Sequence, residues 1–241
     1  MISAEKLGKT FQGKPVLRGL DLSVQPGELV VLQGANGAGK TTFIRILATL
    51  TRPTEGDALV GGSSIARDPR EVRKNIGVML HQPMLYADMT AMENMIFFAD
   101  LAGLKNSRRT CERLLLQVAL DPGSIKRVRS YSRGMLQRLS LARALITDPP
   151  VLLLDEPFTG LDAASQESVR ALLVNAAESG KTLLVTDHDA ARSVKIADRV
   201  DYLYHGRIVH SFKGDDLEPG AMTEEISAIE QGLLAATGER S

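Results

Sequence analysis

The sequence predicts an α/β fold, a mostly parallel core sheet covered by helices on both faces. Three observations carry that expectation. Short apolar runs alternate with segments of helical period, one glycine-rich loop joins a strand directly to a helix, and 241 residues suit one large domain with a subdomain inserted in it. Two independent cores would be crowded in that length. Hydrophobic residues make up 44% of the chain, close to the globular average, which argues against disorder.

The elements follow in order. Leu20, Leu22 and Val24 alternate with Asp21 and Ser23, the period of a half-buried strand, before Pro26-Gly27 turns the chain. Leu29 to Gln33 is a short apolar strand, and after Gly34 to Gly39 the residues Phe43, Ile46, Leu47 and Leu50 recur at helical spacing, with Pro53 beyond the helix end. Asp57 to Val60 is another strand, closed by Gly61-Gly62. Between about Arg70 and Leu120 the only strand signal is Ile76 to Leu80. Thr90 to Leu101 and Ser107 to Leu120 read as helices, so an inserted helical subdomain is expected at about residues 83–148. Asp121-Pro122-Gly123 leads into an arginine-rich loop, a helix from about Met135 to Ile146 and the strand Val151 to Asp155. A helix at Ala164 to Glu178, the strand Thr182 to Thr186, a helix near Ala190 to Ala197 and a hairpin turning at His205-Gly206 complete the alternation. The tail from Gly214 to Ser241 is polar, with one helical pattern at Ile226, Ile229 and Leu233.

Composition narrows the function classes. Lys and Arg total 29, as do Asp and Glu, so a net charge of +0 gives no general attraction to nucleic acid or anionic lipid, and no nucleic-acid partner is expected. The single cysteine, Cys111, cannot form an internal disulfide, which fits a reducing compartment. Glu5 and Lys6 interrupt the N-terminus before an apolar signal region could form, and runs such as Val151 to Leu154 are far too short to span a bilayer. Composition alone predicts a soluble, cytoplasmic chain.

The first chemical signal is Gly34-Ala35-Asn36-Gly37-Ala38-Gly39-Lys40-Thr41, which satisfies G-x-x-x-x-G-K-[ST] between a strand and a helix. Glycines there let backbone N–H groups turn inward around phosphate oxygens at the positive end of the following helix. Lys40 would reach the β and γ phosphates, and the Thr41 hydroxyl would ligate Mg²⁺. The candidate nucleotide-binding residues are therefore Gly34, Asn36, Gly37, Ala38, Gly39, Lys40, Thr41 and Thr42. The glycine spacing G-x-x-G-x-G excludes a dinucleotide fingerprint.

The second signal is the pair Asp155-Glu156 at the end of four apolar residues. A buried parallel strand explains the apolar run, while two desolvated carboxylates need a task. Asp155 can hold Mg²⁺ or its water, and Glu156 can polarise the water that attacks the γ-phosphate. Alone, the pair could be an acidic cluster opening a helix after Pro157. With the glycine loop it specifies a nucleoside triphosphatase. No N-K-x-D tetrapeptide for reading guanine occurs.

Tyr131-Ser132-Arg133-Gly134-Met135-Leu136-Gln137-Arg138, placed just before Asp155 and opening a helix, resembles the signature LSGGQ of the ATP-binding cassette family. Ser132 and Gly134 keep its Ser and its last Gly, while Tyr131, Arg133 and Met135 depart from Leu, Gly and Gln. An N-cap Ser followed by a small residue still presents a hydroxyl and N–H groups to a phosphate. The resemblance covers about residues 2–212, giving one cassette at 1–212 and a short extension at 213–241. It implies a P-loop NTPase with an N-terminal antiparallel β subdomain.

Further residues take the family's roles in order. Gln82 matches the glutamine loop that meets Mg²⁺ or the attacking water, Asp162 the loop crossing the dimer interface, and His188 the switch histidine at the γ-phosphate. Phe11 resembles the aromatic that stacks on adenine, the alternative being a strand-end core residue. The resemblance implies ATP and Mg²⁺ as cofactors and a head-to-tail dimer with a second copy. Each ATP would lie between Lys40, Thr41, Asp155, Gln82 and His188 of one subunit and Ser132 and Gly134 of the other. It also implies integral membrane permease subunits and a place on the cytoplasmic face of the cell membrane.

Within the family, Ile76 to Gln82, Leu85 to Thr90 and Tyr131 to Met135 look like the ATPase subunits of the haem exporters of cytochrome c maturation, and Ile46 to Thr54 and Asp155 to Asp162 fit the same subfamily. The rival is the ATPase of a drug, lipid or polysaccharide exporter, which shares a Tyr-Ser-basic-Gly-Met signature. A soluble cassette ATPase acting on nucleic acid or the ribosome is disfavoured by the single cassette and the lack of sustained heptads. A catalytically silent subunit is disfavoured by the presence of both Glu156 and His188.

Overall fold

In the computed structural model, residues 1–237 are described, with side chains through residue 232; the side chain of Leu233 and residues 238–241 of the tail lie outside them. The chain begins with the antiparallel hairpin β1 (Ile2–Phe11) and β2 (Lys14–Val24), followed by β3 (Leu29–Gln33) and α1 (Lys40–Leu47). Strand β4 (Glu55–Val60), the short β5 (Ser63–Ser64), α2 (Pro69–Lys74) and β6 (Ile76–Met79) come next. Three helices separate β6 from β7 (Val151–Asp155): α3 (Ala91–Leu101), α4 (Arg108–Gln117) and α5 (Arg133–Ala144). Helix α6 (Ala163–Glu178), β8 (Thr182–Thr186), α7 (Ala190–Val194), the hairpin β9 (Arg199–Tyr204) and β10 (Arg207–Lys213), and α8 (Pro219–Thr237) finish the chain.

Burial decides where each strand sits. Strands β3, β7 and β8 are buried at every residue, so they must lie inside a sheet covered on both faces. They are central in a six-stranded sheet of order β10-β9-β3-β8-β7-β6, parallel throughout except for the β9–β10 hairpin at one edge. Period two divides their side chains between two cores. Val30, Leu32, Val151, Leu153 and Leu184 join Phe43 and Ile46 of α1 and Ile2, Leu7 and Leu20 of the N-terminal hairpin. Leu29, Val31, Leu152, Leu154, Leu183 and Val185 face the helical side, with Leu139 of α5 and Leu173 of α6. The smaller sheet is antiparallel, in the order β2-β1-β4-β5.

Several boundaries differ from the sequence expectation for local reasons. Helix α1 stops at Leu47, not Leu50, because Ala48 caps it and Thr49 turns to φ 61. Helix α4 ends at Gln117, before Ala119 reverses the chain at φ 53. Helix α5 starts two residues before Met135, because the Ser132 hydroxyl accepts the Met135 N–H at 3.3 Å and sets the first turn at Arg133. Strand β1 gives no clean alternation, since its pairing with β2 shifts register three times and Lys6 takes φ 47. The six-residue α2 buries only Val72, too little for a periodic signal.

Gly77 of β6 shows how tightly the sheet edge meets the helices. A Cβ at Gly77 would overlap the Ala144 carbonyl oxygen at the end of α5 and lie 2.8 Å from both Leu152 Cδ2 and Pro149 Cγ. Gly77→Ala should therefore destabilise the fold by about 2 kcal/mol or more through overpacking, read as a lowered denaturant midpoint at unchanged slope.

Candidate functional site

Because the core strands run parallel, the turns that follow β3, β6, β7 and β8 meet at one edge of the sheet. The turn after β3 is the glycine loop. Gly34 takes φ 151 where a Cβ would overlap the Leu203 carbonyl oxygen, and Gly39 takes φ 113 with a Cβ position 2.8 Å from Leu17 Cδ2. No L side chain fits either place. Ala38 N–H closes the turn on Ala35 O at 3.1 Å, and α1 starts at Lys40 with no side-chain cap and no acidic residue in its first turn. Its leading N–H groups are therefore free to receive an anion.

Lys40 is 6% exposed, and its ammonium donates to the carbonyls of Gly34 and, at 3.0 Å, Ala35. Burial pushes its pKa down, opposed by the nearby Glu156, Asp155 and Asp187 carboxylates. A polyanion arriving in the loop would supply acceptors to a cation that now relies on two carbonyls. Thr42 is half-buried in the same first turn, and Asn36 is exposed at the loop tip.

The turn after β7 carries the two acids. Asp155 is 1% exposed; its Oδ1 accepts from the Thr186 hydroxyl at 2.7 Å and the Thr41 hydroxyl at 3.2 Å. Its Oδ2 is buried with no hydrogen-bond partner among the described residues. An orphaned carboxylate oxygen beside a threonine hydroxyl is the hard-oxygen donor set that Mg²⁺ or a water on it takes, so the residues present fit that ion.

Glu156 stands at φ 52, a left-handed conformation unusual for a side-chain-bearing residue. Its N–H donates to Thr186 Oγ1 at 3.0 Å, so one hydroxyl joins both acids, and its Oε2 accepts from the Thr159 hydroxyl at 3.2 Å. Two imidazoles flank the carboxylate: His188 Nδ1 lies 3.9 Å from Oε1 and His81 Nδ1 3.8 Å from Oε2. The backbone of His188 is held by its neighbour. Asp187 accepts the backbone N–H groups of His188 and Asp189 at 2.7 and 3.1 Å and is clamped by Arg192 at 2.5 and 2.6 Å.

The sequence-predicted residues do not all converge. Lys40, Thr41, Asp155, Glu156 and His188 come together, and His81, which sequence reasoning passed over, approaches Glu156 where Gln82 was expected; Gln82 follows it, exposed. Ser132 caps α5, and Gly134 is held close to the next loop, where a Cβ would stand 3.0 Å from Gly160 O. Asp162 caps α6 by accepting the Ser165 N–H at 2.8 Å, a bond that holds its carboxyl below the usual range. Phe11 ends β1 at 46% exposed, with the Lys9 ammonium 4.7 Å from its ring centre.

A cleft of about 470 Å³ opens beside the loop, lined by Gly34, Asn36, Glu156 and His188 and also by Tyr202, Thr223 and Ile226. The last two belong to α8, in the tail whose apolar pattern gave no hint of a site. Tyr202 donates its phenol proton to Glu230 of α8, and burial together with that carboxylate pushes its pKa well above the ordinary value.

Residues 17–159 match the ABC transporter family. The chain is 33% identical to the ABC transporter ATP-binding protein NatA of Bacillus subtilis, over 95% of this chain and 96% of that one. It is 35% identical to a daunorubicin resistance ATP-binding protein of Streptomyces coeruleorubidus, over 98% of this chain and 76% of that one. Among solved structures it superposes on a dimeric ATP-binding cassette in a post-hydrolysis state bound to ADP and Pi, with TM-score 0.78 and 28% identity over 88% of this chain and 98% of that one.

The shared hydroxyl gives the site a sharp stability test. Thr186→Val deletes the donor to Asp155 and the acceptor for Glu156 N–H while keeping the shape, leaving buried polar groups unpaired. The loss expected is about 1–3 kcal/mol of unfolding free energy, measured by chemical denaturation without nucleotide.

Proposed function

We propose, from the premise that this chain belongs to the ABC transporter family and hydrolyses ATP, that it is the ATP-driven engine of an exporter whose membrane subunits are separate chains. The observation that carries the reading is the Lys40, Thr41, Asp155 and Glu156 cluster, which joins a phosphate cradle, a metal-binding carboxylate and a candidate base at one sheet edge. No helix among the described residues is long and apolar enough to cross a membrane. Attachment to the cytoplasmic face of the cell membrane would then come through permease subunits.

The residues divide the work. The glycine loop and α1's leading N–H groups hold the phosphates, and Lys40 turns from its carbonyls to the β and γ oxygens. Asp155 and the Thr41 hydroxyl are the chain's donors to Mg²⁺, which when bound neutralises charge building on the phosphate oxygens. Glu156 accepts the proton of the attacking water, and His188, its backbone held by Asp187, contacts the γ-phosphate. Gln82 senses the nucleotide's state, and Phe11 stacks on adenine. Ser132, Gly134 and Asp162 serve the head-to-tail dimer, the first two reaching the nucleotide of the second copy. ATP closes the pair because its γ-phosphate touches both halves, and hydrolysis removes that bridge.

For the exported molecule, similarity to a daunorubicin resistance protein over nearly the whole chain favours a drug-like amphipathic compound. The stretches Ile76 to Gln82, Leu85 to Thr90 and Tyr131 to Met135 favour a second reading, haem export for cytochrome c maturation. The complex isolated with its integral subunits from detergent-solubilised membranes decides between them. Stimulation of its ATPase by an anthracycline and not by haem supports the first, the reverse pattern the second, and purification with no integral subunit would overturn the transporter reading.

The role of Glu156 is tested separately. Glu156→Gln should bind ATP as the wild type does, elute as an ATP-trapped dimer in size-exclusion chromatography, and lose about 10²-fold or more of phosphate release. Turnover near the wild-type rate would remove Glu156 as the base.

A further inference from the structure

The backbone beneath Glu156 is unfavourable for the residue it carries. A residue with a side chain at φ 52 is strained and persists only where its surroundings over-determine it. Side chains from three places do so. Thr186 of β8 takes the N–H at 3.0 Å, Thr159 of the following turn donates to the carboxylate at 3.2 Å, and Gln137 of α5 donates its amide to the Glu156 carbonyl at 2.6 Å. The first two belong to the strand end and the turn beside the acids, whereas Gln137 belongs to α5.

Gln137 is 9% exposed in the middle of a helix whose buried face otherwise includes Leu139, Leu141, Ala142 and Ala144. Packing alone would favour an apolar residue there, since a buried amide is costly unless it is bonded. Its bond to Glu156 reaches a residue 19 positions away. Holding the carbonyl fixes the plane of the Glu156–Pro157 peptide, and the proline ring fixes the next φ. With Thr186 holding the N–H on the other side, the Cα–Cβ direction of Glu156 has little freedom left.

We propose that Gln137 is a positioning residue for ATP hydrolysis, pinning the Glu156 carbonyl so that the carboxylate is aimed at the attacking water. The proposal rests on Glu156 being the base, as read above. It also gives α5 two duties in the dimer. The helix is capped by Ser132, at the partner's nucleotide, and one turn further on it braces the base of its own site.

The test uses the full chain carrying Gln137→Met, which keeps length and loses the donor. The expected result is a fall in kcat of about tenfold, with affinity for a fluorescent ATP analogue kept within about twofold. In the Glu156→Gln background the same change should alter residual turnover by less than about twofold, because the group being positioned is already gone. An unchanged kcat, a parallel loss of nucleotide affinity, or the full tenfold loss added to Glu156→Gln would each overturn the proposal. Should Gln137→Met not fold, Gln137→Glu carries the same cycle, since it keeps size and polarity but sets a carboxylate against the carbonyl. Failure of the general-base reading shows independently, as turnover near wild type in Glu156→Gln alone.

Discussion

The constraint on which this structure turns is a carboxylate without water. Asp155 is 1% exposed at the end of a strand of four apolar residues, where an unpaired charge would be forced to neutralise or to destabilise the fold. The protein satisfies one of its oxygens with two hydroxyls and leaves the other bare. That half-satisfied charge sits in the field of the Lys40 ammonium, itself desolvated and in need of acceptors. Each group is held in a state that a phosphate with its metal ion would relieve, which is electrostatic preorganisation bought with stability.

Topology assembles the pair. Lys40 and Asp155 are separated by more than a hundred residues, and what brings them together is the order β3-β8-β7, in which β8 lies between the strands that lead to them. Thr186 ends that middle strand, and its hydroxyl touches Asp155 on one side and Glu156 N–H on the other. The strands two places from β8 supply the outer parts of the site: β6 delivers His81, and β9 delivers Tyr202 to the wall of the cleft.

This explains what could be read from sequence. The glycine loop and the strand-end acids were legible because each is a local pattern with a local cause: a backbone no side chain tolerates, and a charge at the end of an apolar run. Strands β3, β7 and β8 were legible because burial on both faces leaves continuous apolar residues. Strand β1 was hidden by its register shifts, and α2 by burying one side chain. His81 was passed over because a histidine beside a glutamine after a strand carries no period, and its place near Glu156 comes from β6 pairing with β7. Gln137 was hidden for the same kind of reason, since its partner is a backbone carbonyl, which has no sequence signature.

Helix α8 is the clearest case of function hidden in a plain pattern. Ile226 is one of its apolar positions, and with Thr223 it lines the cleft that holds Glu156 and His188. The helix is kept in register by the fully buried Met222, by Glu225 standing 3.3 Å from His210 Nε2 of β10, and by Glu230 accepting the Tyr202 phenol. Because burial and Glu230 raise the Tyr202 pKa, the phenol keeps its proton and continues to donate well into the alkaline range. The bond between α8 and β9 therefore persists into the alkaline range and fixes the wall of the cleft that carries Tyr202, Thr223 and Ile226.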